Sequence, residues 1–219
     1  MRAFRAVCAP HRAEQIIRRS RFIGWAVPAP DEQALARAIQ EIRGALPGAT
    51  HVCFGGIVGG GRTGVAVERF SDAGEPPGTA GRPILEVVRR RGLVETVVVV
   101  GRYFGGVLLG AAGLVRAYSS TAALVLDGAP IGEFRLCQLW QLAVPYERWG
   151  MVQRLLETAR LSDGWSPEII AVEYGAQVGV RLAVPFPDAA CLAASLSERT
   201  GGVVVPVVQG EEWRGRRGL

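Results

Sequence analysis

At 219 residues and 23.4 kDa, with 49% apolar and 21% charged residues, the chain has globular composition and room for one large domain or two ordinary ones. Its longest aliphatic run, Val97 to Val100, is far below the ~20 residues of a membrane span, and the Arg-studded N-terminal stretch has no apolar core of a secretory signal, so a cytoplasmic protein is expected. The net charge of +5 is uneven: residues 1–135 hold 17 Arg against 11 acidic side chains and residues 136–219 hold 8 against 9, which suggests an anionic partner for the first half.

Arg21 to Val27 reads as a first strand, ended by Pro28 and Pro30. Asp31 then caps a helix whose Leu35, Ala38, Ile39, Ile42 and Leu46 follow the 3.6-residue period, stopped at Pro47-Gly48. Two β-rich runs, His51 to Val58 and Thr63 to Phe70, join across Gly59-Gly60-Gly61-Arg62 as a hairpin. The loop SDAGEPPGTAGRP leads into a helix beginning at Pro83. Val94 to Val100 is a buried strand, and the loop GRYFGGVLLGAAG connects it to a helix from Leu114 to Leu126.

The character changes after Pro130. A strand at Leu136 to Val144 and an amphipathic helix at Tyr146 to Ala159 precede strands at Ser166 to Tyr174 and Gln177 to Val184. Asp188 caps a further helix, and Val203 to Val208 closes the unit. The order β-α-β-β-α-β is that of a ferredoxin-like domain. The expected fold class is therefore α+β in two domains, residues 1–132 and 136–208, with 209–219 as a polar, frayed tail.

Glycine supplies 29 residues, about twice its ordinary share, and 15 of them lie between Gly55 and Gly113. Arg-only basicity, with no Lys, reads as coding bias. Cys8, Cys53, Cys137 and Cys191 form no CxxC pair, so neither a zinc site nor a disulfide framework is indicated. Cys53, Cys137 and Cys191 read as buried thiols.

The two glycine-rich loops each lead into a helix. Gly78-Thr79-Ala80-Gly81 precedes Pro83 with Arg82 at the helix mouth; Gly105, Gly106, Gly110 and Gly113 precede the helix bearing Arg116. A helix start offers unpaired N–H groups and partial positive charge, and glycine lets an anion approach the backbone. Arg82, Arg102 and Arg116 would complete a phosphate-binding surface, with Tyr103 and Phe104 beside it to stack on bases. Close backbone packing alone accounts equally well for such a loop, and Tyr103 and Phe104 fit a core role too. His51, Ser71, Asp72, Glu75 and Thr79 are the candidates for acid–base, metal or nucleophilic chemistry, yet no Walker A, GxGxxG, HExxH or GxSxG pattern is present and no reaction is specified.

The strings RRSRFIG, HVC, SDAGEPPGTAGRPIL and VVVVGRYFGGVLLGAAGLVRAYS resemble the bacterial YigZ-type branch of the IMPACT family over nearly the whole chain. The resemblance implies a first domain with the fold of domain 2 of ribosomal protein S5, an α/β sandwich, and a second that is similar to the last domain of elongation factor G. Eukaryotic relatives regulate translation by binding the activator of the kinase that senses amino-acid starvation. Departures from the family strings stand at Ala73, Gly101, Leu108 and Ala112; Ala73 replaces a second carboxylate and Leu108 a phosphate-reaching basic residue.

The leading expectation is a translation-associated binding protein that contacts RNA, the ribosome or a ribosome-bound factor. An enzyme acting on a nucleotide or phosphorylated small molecule is the alternative, and a protein-interaction module with purely structural loops a third. RNA or the ribosome is the expected partner; no cofactor, metal or membrane is expected.

Overall fold

Four consecutive valines cannot belong to a strand with one wet face, and the layers of the first unit explain them. In a computed structural model, residues 3–159, 161 and 164–217 are described. The chain divides into two compact units, Ala3–Phe134 with the chain end from Arg216, and Arg135–Gly215.

The first unit carries β1 (Ala3–Val7), β2 (His11–Ile17), β3 (Ser20–Pro28), α1 (Glu32–Gly44), β4 (His51–Gly59), β5 (Ala66–Ser71), α2 (Gly81–Arg90), β6 (Thr96–Tyr103) and α3 (Gly110–Gly128). Five strands form an antiparallel sheet in the order β2-β3-β6-β4-β5, with β6 central. Val98 and Val100 point into a core shared with Ile84 and Val88 of α2 and Tyr118 and Val125 of α3. Val97 and Val99 point to the other face, against Leu35, Ile42 and Leu46 on and after α1. Helices cover both faces, so both alternating sets of β6 side chains are apolar. Asp31 caps α1, its Oδ1 accepting from Ala34 N at 2.7 Å. Helix α2 lies directly on β4: a Cβ on Gly55 would stand 2.4 Å from the Gly81 carbonyl oxygen.

The second unit runs β7 (Ile131–Val144), α4 (Tyr146–Thr158), β8 (Glu168–Tyr174), β9 (Val178–Pro185), α5 (Ala189–Thr200) and β10 (Val207–Arg217), the first four residues of β7 belonging to the first unit. β7 pairs with β9, β9 with β8, and β10 with β7. That β-α-β-β-α-β order with strands β10-β7-β9-β8 is the split βαβ arrangement. Leu142, Val180 and Leu182 of the sheet pack with Val152 and Leu156 of α4 and Leu192 and Leu196 of α5. Both units are mixed α/β, and the chain is a two-domain α+β protein.

Several elements depart from the sequence-based expectation. β1 and β2 precede the first expected strand; β2 alternates partly buried and exposed residues, but its polar members hide the period. α3 begins at Gly110 rather than Leu114, because Leu114, Ala117 and Tyr118 dock on the sheet and carry the weak glycine-containing turn with them. β7 starts at Ile131 rather than at Leu136 and bridges the expected domain boundary. The closing strand is not at Val203 to Val208 but runs from Val207 to Arg217, through the expected tail, with its polar side chains paired at the surface, as with Arg214 and Glu212 at 3.1 Å. Asp188 stands at the start of α5 without a side-chain cap bond. Cys191 is exposed, not buried, because α5 buries the stripe Ala189, Leu192, Leu196 and Thr200, and residue 191 falls off it.

Candidate functional site

The loop after β5 is organised by Asp72. Its Oδ1 accepts from the N–H groups of Ala80 (3.0 Å) and Gly81 (2.8 Å), and its Oδ2 from Gly78 (2.8 Å). The first residues of α2 have no cap from Ala80 itself, so a carboxylate from eight residues upstream supplies it. Burial alone would raise the Asp72 carboxyl, but the three N–H groups and nearby Arg82 outweigh it and hold it below the usual carboxylate range. The mouth of α2 is thus filled from within. Ser71 Oγ accepts from Ala73 N at 3.2 Å, and the Thr79 hydroxyl donates to the Pro76 carbonyl at 2.7 Å. Ser71, Asp72, Gly78, Thr79 and Gly81 all serve the loop's own geometry.

Glu75 and Arg102 behave differently from a surface pair. Arg102, expected on an anion-binding surface, is 5% exposed and donates from Nη1 to Glu75 Oε1 at 2.7 Å. Its guanidinium stands 5.5 Å from the ring centres of both Phe22 and Phe104. The Tyr118 hydroxyl donates to the same Glu75 oxygen at 2.8 Å, and the Cys53 thiol donates to the Asp72 carbonyl. Burial pushes the Cys53 thiol up to about 12 and the Tyr118 phenol upward as well, so both stay protonated. His51, at the start of β4, has Nδ1 3.0 Å from the Ala73 carbonyl; a carbonyl only accepts, so Nδ1 carries the hydrogen.

The second glycine loop joins β6 to α3. Tyr103 and Phe104 separate: Tyr103 packs on the α1 side and donates to the Pro47 carbonyl at 3.1 Å, whereas Phe104 is 47% exposed. A Cβ on Gly105 would stand 2.1 Å from the Arg19 carbonyl carbon, so this loop is pressed against the β2–β3 turn. Gly106 is an exposed loop residue, and Gly113 lies inside the first turn of α3. That turn has neither a side-chain cap nor an acidic residue, so of the two helix mouths only this one is open.

A cleft of about 430 Å³ opens between the loops, with Thr50, His51, Glu75, Pro76 and Arg102 on one side and Phe104, Leu108 to Ala111 and Leu114 on the other. A separate groove of about 610 Å³ runs between α2 and α3 past Arg90, Arg91, Arg116, Ser119 and Ser120. A hollow of about 220 Å³ continues it through Arg116 and Ser120 to Arg18. Arg82 stands apart, its guanidinium 5.5 Å from the Phe70 ring.

Sequence reasoning passed over Arg18, Arg19, Arg90 and Arg91. Arg18 and Arg19 form the whole two-residue loop between β2 and β3, since Ile17 pairs with Ser20, and both have positive φ (44° and 67°). This turn usually takes Asn-Gly, and two arginines there are strained. Their signal was the paired Arg of RRSRFIG, as that of Arg90 and Arg91 was the run RRR. Arg18, Arg19 and Arg116 have no carboxylate partner among the described residues, whereas Arg91 pairs with Asp127 at 2.5 Å and Arg90 with Glu86 at 3.5 Å. Among the described residues no cluster of three or more His, Cys, Asp and Glu is placed to hold a metal ion, and no helix is long and apolar enough to cross a membrane.

Residues 18–126 match the Impact N-terminal domain. The chain is 38% identical over 193 residues to an IMPACT family member encoded in the pol 5' region of Thermus thermophilus, covering 85% of this chain and 97% of that protein. It is 31% identical over 194 residues to IMPACT family member YigZ of Escherichia coli, covering 89% and 92%. With IMPACT family member YvyE of Bacillus subtilis it is 35% identical over 147 residues, covering 67% of this chain and 66% of that protein. A crystal structure described as that of a hypothetical protein superposes with a TM-score of 0.60 at 29% identity, covering 95% of this chain and 98% of the other. The glycine-rich loops, the buried Glu75–Arg102 pair and strands β3 to β6 all fall within the matched domain, with β2 just before it, and the chain belongs to the IMPACT family.

Proposed function

We propose that the chain is a regulatory binding protein of translation whose first unit engages RNA, free or in the ribosome, through the face formed by α2, α3 and the β2–β3 turn. The observation that carries this reading is the continuous groove linking Arg90 and Arg91 through Arg116 to Arg18, with Arg18 and Arg116 lacking any carboxylate partner among the described residues. Guanidinium groups spaced along a groove match a phosphodiester backbone, and they read shape and charge rather than base sequence. Ser119 adds a hydroxyl to the same wall, while the Ser120 hydroxyl already donates to the Ala117 carbonyl at 3.1 Å. The strained turn supports the reading further. Two arginines standing where Asn-Gly would relieve the backbone point to a role for their charge rather than their conformation.

Asp72 removes the mouth of α2 from the anion-binding surface, and Arg102 leaves it by burial. The proposed interface therefore centres on Arg18, Arg19 and Arg116. Family membership and the resemblance to translation proteins support placing the RNA in translation. The test is co-sedimentation with ribosomes and gel-shift with ribosomal RNA, comparing the native chain with Arg18→Ala/Arg19→Ala/Arg116→Ala. Binding by the native chain that the triple variant loses is expected; failure of the native chain to bind either target overturns the reading.

A further inference from the structure

The cleft between the two loops contains polar atoms that the fold leaves unused. Glu75 is 6% exposed, yet both its bonds fall on Oε1, and Oε2 has no partner among the described residues. Arg102 is 5% exposed and its buried Nε has no acceptor. Both residues line the cleft. His51 is held through its Nδ1 hydrogen, so Nε2 of the neutral ring is an unused acceptor in the same wall. Side chains buried as deeply as Glu75 normally have their polar atoms paired, and the open Oε2 of that carboxylate, with half-buried His51 beside it, gives a ligand in the cleft a polar anchor.

The rest of the cleft states the chemistry of that ligand. Phe104, Leu108 and Leu114 provide an apolar wall, with Phe104 half exposed. The rim is the uncapped start of α3 at Gly110 and Ala111, whose N–H groups and dipole favour a negative group. Glu75 does not repel such a group, because Arg102 neutralises it at 2.7 Å. A volume of about 430 Å³ suits a ligand of mononucleotide size.

We infer that this cleft binds a nucleoside monophosphate, with its phosphate at the start of α3, its base against Phe104 and Leu108, and separate hydroxyl or amino hydrogens donated to Glu75 Oε2 and to His51 Nε2. The cleft meets the hollow at the end of the RNA groove only at Leu109, and none of the groove's arginines lines it.

The test is isothermal titration of the full chain with AMP, GMP, CMP and UMP, each against its parent nucleoside, alongside melting temperature. At least one nucleotide saturates and raises the melting temperature, and its nucleoside binds about tenfold more weakly or not at all. Ala111→Asp is the decisive variant. An acidic side chain in the exposed first turn supports the helix but occupies the anion position, so the unliganded melting temperature is maintained while affinity falls about tenfold or more. Arg90→Ala/Arg91→Ala, in the other groove, leaves nucleotide affinity unchanged. No saturation by any of the four nucleotides at millimolar concentration overturns the inference, as does undiminished binding by Ala111→Asp or equal binding of nucleotide and nucleoside. None of these outcomes bears on RNA binding, which the arginine variants test separately.

Discussion

Glu75 and Arg102, 27 residues apart in sequence, meet in a buried ion pair at 2.7 Å, and Tyr118 donates to the same carboxylate oxygen at 2.8 Å. A buried pair contributes little beyond an apolar replacement, but breaking it strands a charge. Arg102→Met is therefore expected to cost about 3–5 kcal/mol of unfolding free energy, and Glu75→Gln/Arg102→Met substantially less, because the stranded carboxylate is gone. Urea denaturation of the three proteins checks the order.

Asp72 makes stability depend on acidity. Its folded-state carboxyl lies below the unfolded one, so its contribution is fully present above the unfolded value of ~3.9 and is lost as pH falls through the lower folded value. Asp72→Ala leaves three N–H groups without their acceptor and is expected to cost about 1–3 kcal/mol at neutral pH. The difference between variant and native chain should shrink as pH drops below about 4. Thermal unfolding at pH 3 to 7 measures it; a constant difference contradicts the cap.

The β2–β3 turn trades conformation for charge. Arg18→Asn/Arg19→Gly installs residues that accept positive φ, and the variant should gain about 1–2 kcal/mol in stability while binding RNA more weakly. Denaturant midpoints and gel shifts on the same preparations read both effects.

Salt dependence counts phosphate contacts. Arg116 has no carboxylate partner among the described residues, so Arg116→Ala should reduce the log–log salt slope of single-stranded RNA binding by about 0.7. Arg82→Ala, at the filled mouth of α2, should leave that slope unchanged.

Thiol chemistry should sort by burial. Cys53 and Cys137 are buried, with thiols pushed up to about 12 and about 11, while Cys191 is exposed. In native protein at pH 8 a thiol reagent should modify Cys191 promptly and reach Cys53 and Cys137 only on unfolding. Mass mapping of the labelled peptides decides it.

Local pattern made much of the fold legible. The cap at Asp31, the valine run of β6, the glycine hairpin between β4 and β5 and the β-α-β-β-α-β order of the second unit each depend on neighbours within a few residues. Contacts over long separations were not legible. Carboxylates in the turn before Pro76-Pro77 most simply bond loop amides, as Asp72 does, but nothing in SDAGEP indicates that the following helix supplies two of those amides, or that Glu75 finds Arg102. The Arg18-Arg19 turn was hidden for the opposite reason: it lacks the glycine by which such turns are read. Clustered glycine did locate the cleft, because the loops that form it need close backbone approach, as Gly105 makes to Arg19.

The carboxylate at the mouth of α2 also bears on selectivity. Asp72 is covalently tethered to the N–H groups it occupies, so it competes there at an effective concentration on the order of millimolar or higher, wherever the protein finds itself. A freely diffusing anion must outcompete that permanent tenant at α2 but meets no rival at α3. The molecule thus carries its own competitive inhibitor for one helix end, and discrimination between two chemically similar anion positions is settled before any ligand arrives.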